Sequence, residues 1–222
     1  MIIRWIVGAM LRIKLRFFQE QMRVIWRYYR RARFFFVDAA LFFLYFFSNP
    51  YRMCRRFLEK RGEKDVYTYG ETPLTALETM VRAFGITAED RWLDLGCGRG
   101  RGCFWMSTFW GTSSRGIEWV PGFISRASWI VWLGLAKKTE FQNSSMEKAD
   151  FSWPTVVYLC GTCMSDEEIE EVSIPMQALP VGSKVITISE PLKSPAFKIL
   201  QSIPVSFIWG KTDAYFHEKR AT

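Results

Sequence analysis

Residues 91–102, RWLDLGCGRGRG, decide how this chain folds. Trp92, Leu93 and Leu95 read as a short buried strand that delivers Asp94 into a turn with glycine at 96, 98, 100 and 102. A strand running into so glycine-dense a turn leaves backbone amides free of Cβ bulk where a helix begins, and a ligand can approach them there. A dinucleotide fingerprint, G-x-G-x-x-G, would need glycine at 101, where arginine stands. No Gly-Lys-Ser or Gly-Lys-Thr follows, which excludes a P-loop. An ordinary surface turn is the competing reading, and context has to separate the two.

The second strand supplies that context. In an open α/β sheet it should end beside the first, and an acid at its tip can accept from both hydroxyls of a ribose. The segment GIEWVPGF places Glu118 there, 24 residues after Asp94. What remains at 94–100 is Asp-x-Gly-x-Gly-x-Gly, which is similar to the cofactor loop of the seven-strand S-adenosylmethionine-dependent methyltransferases.

Upstream, VYTYGETPLTALETMVRAFGITAED (66–90) carries Tyr69-Gly70-Glu71-Thr72 ahead of an apolar-periodic helix through Leu74, Leu77, Met80, Val81 and Phe84. That loop, that helix, the Asp94–Gly100 turn and the Gly-Ile-Glu strand together resemble the non-SET histone-lysine methyltransferases of the disruptor-of-telomeric-silencing type. TVVYL (155–159), LPVGSKVITISEPL (179–192) and SIPVSFIWGKTDAYFHEKR (202–220) resemble that family's fourth strand, fifth strand and terminal hairpin. A wider likeness is to membrane-anchored mitochondrial lysine methyltransferases, which also carry a hydrophobic segment ahead of such a core. The resemblance spans residues 66–220.

It implies an enzyme that uses S-adenosylmethionine and methylates a protein lysine; the alternatives are a methyltransferase for a lipid, quinone or other small acceptor and a noncatalytic cofactor-binding interaction protein. By the same resemblance Gly96, Gly98 and Gly100 admit the cofactor, Asp94 fixes the loop, Glu118 holds the ribose, and Asn143, Ser144, Ser145 and Met146 contact adenine. The family usually has Gly-Asp at the adenine position. Tyr69, Glu71 and Thr72 would close over the methionine end. At the acceptor the family carries asparagines after its fourth strand, whereas this chain has Cys160-Gly161-Thr162-Cys163, a departure that bears on the lysine assignment. Tyr158, Cys160, Trp209, Tyr215 and Phe216 are the candidates for an acceptor channel. No Asn/Asp-Pro-Pro-Tyr occurs, so the usual adenine or glutamine amino-methylating signature is missing.

The expected fold class is α/β: a Rossmann-like seven-strand methyltransferase sheet, mostly parallel, with a C-terminal antiparallel hairpin and an N-terminal basic, aromatic helical segment. Expected strands are 91–95, 114–118, 139–142, 155–159, 183–189, about 203–209 and 212–218. Expected helices are 100–110, 121–137 and 165–178. Alternating βα units demand a parallel sheet with right-handed crossovers, and ligands bind at its carboxyl ends.

A chain of 222 residues with 49% apolar content suits one domain of roughly 150 residues plus an appendage. We expect the division at 1–61 and 62–222. Residues 1–61 hold 14 Lys/Arg against 3 Asp/Glu, while the rest hold 16 against 19, so the net charge of +8 originates in the appendage. MIIRWIVGAMLRIKLRFF (1–18) reads as a basic amphipathic helix, and no small-residue cleavage signal follows it. FFFVDAALFFLYFF (34–47) is flanked by arginines and spans only ~21 Å as a helix, against ~30 Å of bilayer hydrocarbon. It is expected to lie in or dip into an anionic membrane surface. The alternatives are a short span that snorkels its arginines, a helical cap on the catalytic domain and, less favoured because the segment is so apolar, a nucleic-acid arm.

Five cysteines, one of them inside the glycine turn, point to a reducing compartment and, with the amphipathic segment, to a cytoplasmic, membrane-associated protein. Cys160 and Cys163 have zinc-like spacing, but one pair with a single histidine in the chain furnishes no tetrahedral site, and no metal is expected.

Overall fold

A computed structural model describes residues 2–221, with side chains from Met10 onward. Three helices come first: α1 (Ile2–Tyr28), α2 (Ala32–Tyr45) and α3 (Pro50–Arg61). Then follow α4 (Leu74–Ala83), β1 (Arg91–Leu95), α5 (Arg101–Trp105), β2 (Ser113–Glu118), α6 (Pro121–Trp132), β3 (Thr139–Asn143), β4 (Val156–Leu159), α7 (Asp166–Ser173), β5 (Lys184–Ile188), β6 (Phe197–Ser206) and β7 (Lys211–Lys219). The strands form one seven-stranded sheet in the order β3-β2-β1-β4-β5-β7-β6. The first five are parallel, and β7 runs antiparallel to both β5 and β6. The expected fold class is therefore the observed one.

Local chemistry explains the element ends. Asn49 caps α3 by accepting from the Arg52 amide, with Pro50 in the first turn, where a missing N–H costs nothing. Ser165 and Glu168 form a reciprocal capping box at the start of α7. That helix is shorter than the expected 165–178 because Pro175 cannot continue an α-helix, and a 3₁₀ turn follows it. Helix α5 runs on through a π-helical turn to Trp110, completing the expected 100–110. The hairpin is longer than expected. Its first strand begins at Phe197, as the sheet's edge strand, where Pro204 is tolerated and a bulge lies between Ile199 and Gln201.

Strands β1 and β4 are buried on both faces, as central parallel strands are. Trp92 and Tyr158 join the cluster under α4 and α5, while Leu93, Leu95, Val157 and Leu159 join the one under α7. The N-terminal helices complete the first face. Val24, Tyr28 and Phe34 enter the cluster of Trp92, and Val37, Leu41, Tyr45, Cys54 and Leu58 pack with Phe104 and Phe123. Each such buried side chain contributes roughly 1.5–3 kcal/mol.

Helix α2 packs as the helical cap weighed for 34–47, and does so through one face only. Phe34, Val37, Asp38, Leu41 and Tyr45 cap the sheet domain, whereas Phe36, Phe42, Phe43, Phe46 and Phe47 remain exposed. Among the described residues no single helix is long and apolar enough to cross a membrane. Helices α2 and α3 reach that length and apolarity only as a pair bent by 59°.

Candidate cofactor and acceptor site

The carboxyl ends of β1, β2, β3 and β4 converge at one edge of the sheet, and register fixes what meets there. Asp94 pairs with Gly116 on one side and Tyr158 on the other, while Glu118 pairs with Asn143. The chain order reverses between β1 and β4, which makes their tips the switch-point crevice of the sheet.

Glu118 and the glycine turn are joined directly. The Gly98 amide donates to Glu118 Oε2 at 2.9 Å, and the Val120 amide donates to Oε1 at 2.8 Å. Burial pushes the Glu118 carboxyl above its ordinary range, while those amides pull it back. The turn depends on glycine. Gly98 and Gly100 have φ of +55° and +76°, conformations L side chains rarely adopt. A Cβ on Gly100 would stand 2.4 Å from the Phe141 ring, and one on Gly98 would stand 3.0 Å from Tyr69.

Asp94 lies behind the turn, 7% exposed. Among the described residues its side chain has one hydrogen-bond partner, the Cys103 thiol, 3.5 Å from Oδ2. Burial raises its pKa to about 7. The neighbouring Cys97 and Cys103 thiols are pushed up by burial too, so all three groups hold protons readily.

The 69–72 loop covers the turn. The Tyr69 hydroxyl donates to Glu71, and Arg99 grips the same carboxylate through Nε at 2.5 Å and Nη2 at 2.8 Å. Burial disfavours the Glu71 charge, but the hydrogen bonds and charge of Arg99 outweigh it and hold the pKa below the ordinary range. Thr72 Oγ1 lies 2.6 Å from the Tyr158 hydroxyl, connecting the loop to the β4 tip beside Asp94.

On the far side of Glu118 is a cleft of about 310 Å³ lined by Phe57, Arg61, Trp119, Pro121, Lys148 and the Asn143–Ser145 loop. Phe57 meets Trp119 edge-on at 5.5 Å, and the Arg61 guanidinium lies 4.1 Å from the Trp119 ring centre. Asn143 is not free to read a base with its whole amide, because Nδ2 donates to the Glu118 and Trp119 carbonyls. Met146 reaches the glycine turn, its Sδ 3.8 Å from where a Gly96 Cβ would stand.

These residues fit a nucleoside ligand: a Cβ-free turn, an acid at the neighbouring tip, and an aromatic cleft with polar edges beyond it. Beside the turn the buried Tyr45 hydroxyl has no partner among the described residues, and the Tyr45 ring lies under both Arg99 and Arg126.

Tyr69, Glu71, Thr72, Asp94, Gly96, Gly98, Gly100, Glu118, Asn143, Ser144, Ser145 and Met146 are thus gathered around one edge. The acceptor candidates are not. Tyr158 and the half-buried Cys160 stand at the β4 tip, but side chains alternate along a strand, and Tyr215 pairs with Thr187 on the sheet face opposite Tyr158 and Phe216. Phe216 is core, packed at 4.5 Å on Phe84. Trp209 lies in the β6–β7 turn, 55% exposed, tilted on Phe207.

The sequence reading missed Arg99, Arg101, Asp38, Phe57, Arg61 and Trp119. Arg101 Nε and Nη2 each donate at 2.7 Å to Asp38 of α2, which also accepts from Tyr29. One signal was visible: Asp38 is the only charge in an apolar run, and a buried charge requires a partner.

No protein-family model and no curated protein matches this chain. Solved structures do. The RNA methyltransferase from Salinibacter ruber, in complex with S-adenosyl-L-homocysteine, aligns with a TM-score of 0.58 and 21% identity over 69% of this chain and 95% of that one. TrmN from Thermus thermophilus aligns at 0.57 and 15% identity over 68% of this chain, which spans half of that protein. The putative methyltransferase yhhF from Escherichia coli aligns at 0.54 and 14% identity over 67% of this chain and 87% of its own. At these identities the likeness is one of fold, the mostly parallel seven-strand sheet with its C-terminal hairpin.

Proposed function

We propose that this chain is an S-adenosylmethionine-dependent methyltransferase that modifies a protein lysine presented at an anionic membrane surface in a reducing, cytoplasmic compartment. The observation that carries the enzyme reading is the junction of Glu118 with the Gly98 amide, next to the tip that bears Asp94. Glu118 keeps lone pairs for ribose hydroxyls, the Trp119–Phe57 cleft and the Asn143–Met146 loop take the base, and Gly96–Gly100 admit the chain joining them. Tyr69, Glu71 and Thr72 close over the opposite end. Solved structures of this fold include a MtNAS mutant in complex with S-adenosylmethionine, which supports the choice of cofactor.

When bound, that cofactor supplies a methyl group on a sulfonium. Such a transfer needs alignment more than a strong base, so the chain's task is to position the acceptor and keep water out. Thr72 and Tyr158 hold the loop against the β4 tip, and burial keeps the Tyr158 hydroxyl protonated. An acceptor amine must shed its proton from a reference pKa of ~10.4, and a desolvating site of this kind favours the neutral amine. The lysine assignment rests on the resemblance across residues 66–220, and the membrane on the exposed phenylalanines of α2 among the arginines of residues 1–61.

Isothermal titration of S-adenosylmethionine into the full chain tests the first part. The wild type should bind, and Glu118→Ala should lose at least tenfold in affinity. Wild type that does not bind ends the reading. Tritiated methyl labelling of a lysate, separated into protein, lipid and RNA, tests the acceptor. Label in acid-stable methyl-lysine is expected, and label confined to lipid or RNA rejects the lysine.

A further inference from the structure

A second cleft, of about 220 Å³, lies between α1, the start of α4 and the β6–β7 turn, outside the site described above. Arg16, Arg23 and Lys211 line it. Among the described residues none of the three has a carboxylate partner, and the one hydrogen bond any of their side chains makes is a long one of 3.5 Å from Arg16 to the Ile208 carbonyl. The single acid of the cleft, Glu20, is already engaged. Its carboxylate accepts from the Thr75 amide at 3.1 Å and the Thr75 hydroxyl at 2.6 Å, and the residue is 5% exposed. Three cations against one spent carboxylate leave about two positive charges facing an open space, which suits a phosphate with its several acceptor oxygens.

The rest of α1 indicates where that phosphate comes from. Arg16 and Arg23 are seven residues apart on one face. On the adjoining face Leu11, Leu15, Phe18, Met22 and Trp26 recur every three or four residues, and all are exposed, Trp26 by 83%; Met10, Ile13, Phe17 and Ile25 add exposed apolar surface off that line. A helix with an unpartnered apolar stripe beside a basic face suits the plane of a bilayer interface, stripe toward the acyl chains and cations among the phosphates. Trp209, exposed on the same β6–β7 turn that borders the cleft, is a side chain of the interfacial type.

We infer that Arg16, Arg23 and Lys211 form a phosphate site that takes the headgroup of an anionic lipid and sets the orientation of the protein on the membrane. The inference rests on the membrane part of the proposed function and is independent of the chemistry. Pro73 and Thr75 line the cleft immediately after Thr72 of the 69–72 loop, so a bound headgroup would place the loop that covers the glycine turn next to the membrane surface.

Flotation of the full chain tests the site with vesicles of phosphatidylcholine carrying either phosphatidic acid or phosphatidylserine, matched in surface potential. The wild type should prefer the accessible phosphate of phosphatidic acid by about tenfold. The triple variant Arg16→Gln, Arg23→Gln, Lys211→Gln should lose that preference. A control, Arg30→Gln, Arg31→Gln, Arg33→Gln, removes equal charge elsewhere and should weaken binding to both vesicles alike with the ratio kept. The single variant Lys211→Gln, outside α1, should lower the ratio without touching the stripe. Equal binding of wild type to both vesicles overturns the site, as does a triple variant that keeps the ratio. Saturable heat with inorganic phosphate alone, without vesicle preference, reassigns the cleft to a soluble phosphate ester. A single-stranded RNA oligonucleotide that displaces the vesicles, and is itself lost by the triple variant, reassigns it to nucleic acid. S-adenosylmethionine titrations on the same variants should be unchanged, which keeps failure of the lipid site separable from failure of the enzyme reading.

Discussion

The strand tips and the N-terminal helices reach the same edge of the sheet by opposite means. Asp94, Glu118 and the glycine turn are placed by backbone: parallel register sets the tips side by side, and a Cβ-free turn brings an amide onto a carboxylate. Helices α2 and α3 arrive through side chains alone, by the Asp38–Arg101 pair, by Tyr45 beneath Arg99, and by Phe57 and Arg61 against Trp119. Backbone chemistry leaves a local pattern in sequence. Side-chain pairing across 63 residues, as between Asp38 and Arg101, leaves at most a lone charge in an apolar run and no mark of which residue answers it.

The largest effect should come from the joint between the two regions. Asp38→Ala leaves the Arg101 guanidinium without its carboxylate, and the two side chains are 6% and 16% exposed. Removing one member of a buried pair costs ~3–5 kcal/mol, because the other charge stays desolvated. Urea unfolding should show that loss, with part of it recovered in Asp38→Ala/Arg101→Met. A single variant within 1 kcal/mol of wild type would mean that the helices are not anchored through this pair.

Next comes the backbone side of the comparison. Gly100→Ala must adopt φ of +76° and displace the Phe141 ring, for roughly 2–4 kcal/mol of strain and overpacking. Cofactor affinity should fall with stability, because the turn itself moves. Unaltered binding by titration would show that the turn does not contact the ligand.

Sequence made the sheet legible because its signals are local. VVYL and RWLDL read as buried strands, and the Asp94–Gly100 spacing marked the turn. It misjudged the hairpin because an edge strand such as β6 exposes five residues in a row, Lys198–Ser202, and so lacks the alternation that marks a half-buried strand. It could not choose between a cap and a membrane face for 34–47, since aromatics occur on both sides of α2 and composition does not say which side is covered. Tyr215 failed as a channel wall for a reason that register alone reveals, the period of two along β7.

Asp94 gives a smaller, pH-dependent effect. Its folded pKa, about 7, lies above the ordinary aspartate value of 3.8, so the folded chain holds this proton more tightly than the unfolded one. Stability contributed by the protonated form is present at low pH and is lost as pH rises from about 4 to about 7, levelling off above. Glu118, also raised, acts with the same sign, and Glu71, lowered, with the opposite one. The difference between wild type and Asp94→Asn isolates the residue. The variant should lack roughly 2 kcal/mol of that decline, after allowance for water entering the turn on ionisation. Parallel stability curves across the window would show that Asp94 is solvated in the folded chain.

The smallest effect sharpens the comparison most, because it asks whether the helices belong to the site or only cover it. Trp119 follows Glu118 on the tip side of the cleft, and Phe57 faces it from α3 at 5.5 Å. Half-buried aromatic walls contribute about 1 kcal/mol to a stacked ligand, so either alanine variant should weaken S-adenosylmethionine about fivefold by titration. Stability should change little in Phe57→Ala, whose ring is only partly buried, and the core residues of α3, Cys54 and Leu58, stay in place. Equal losses would make α3 a wall of the adenine cleft, and residues 1–61 could then not be removed without cost to the cofactor. A loss in Trp119→Ala with none in Phe57→Ala would return the site wholly to the strand tips.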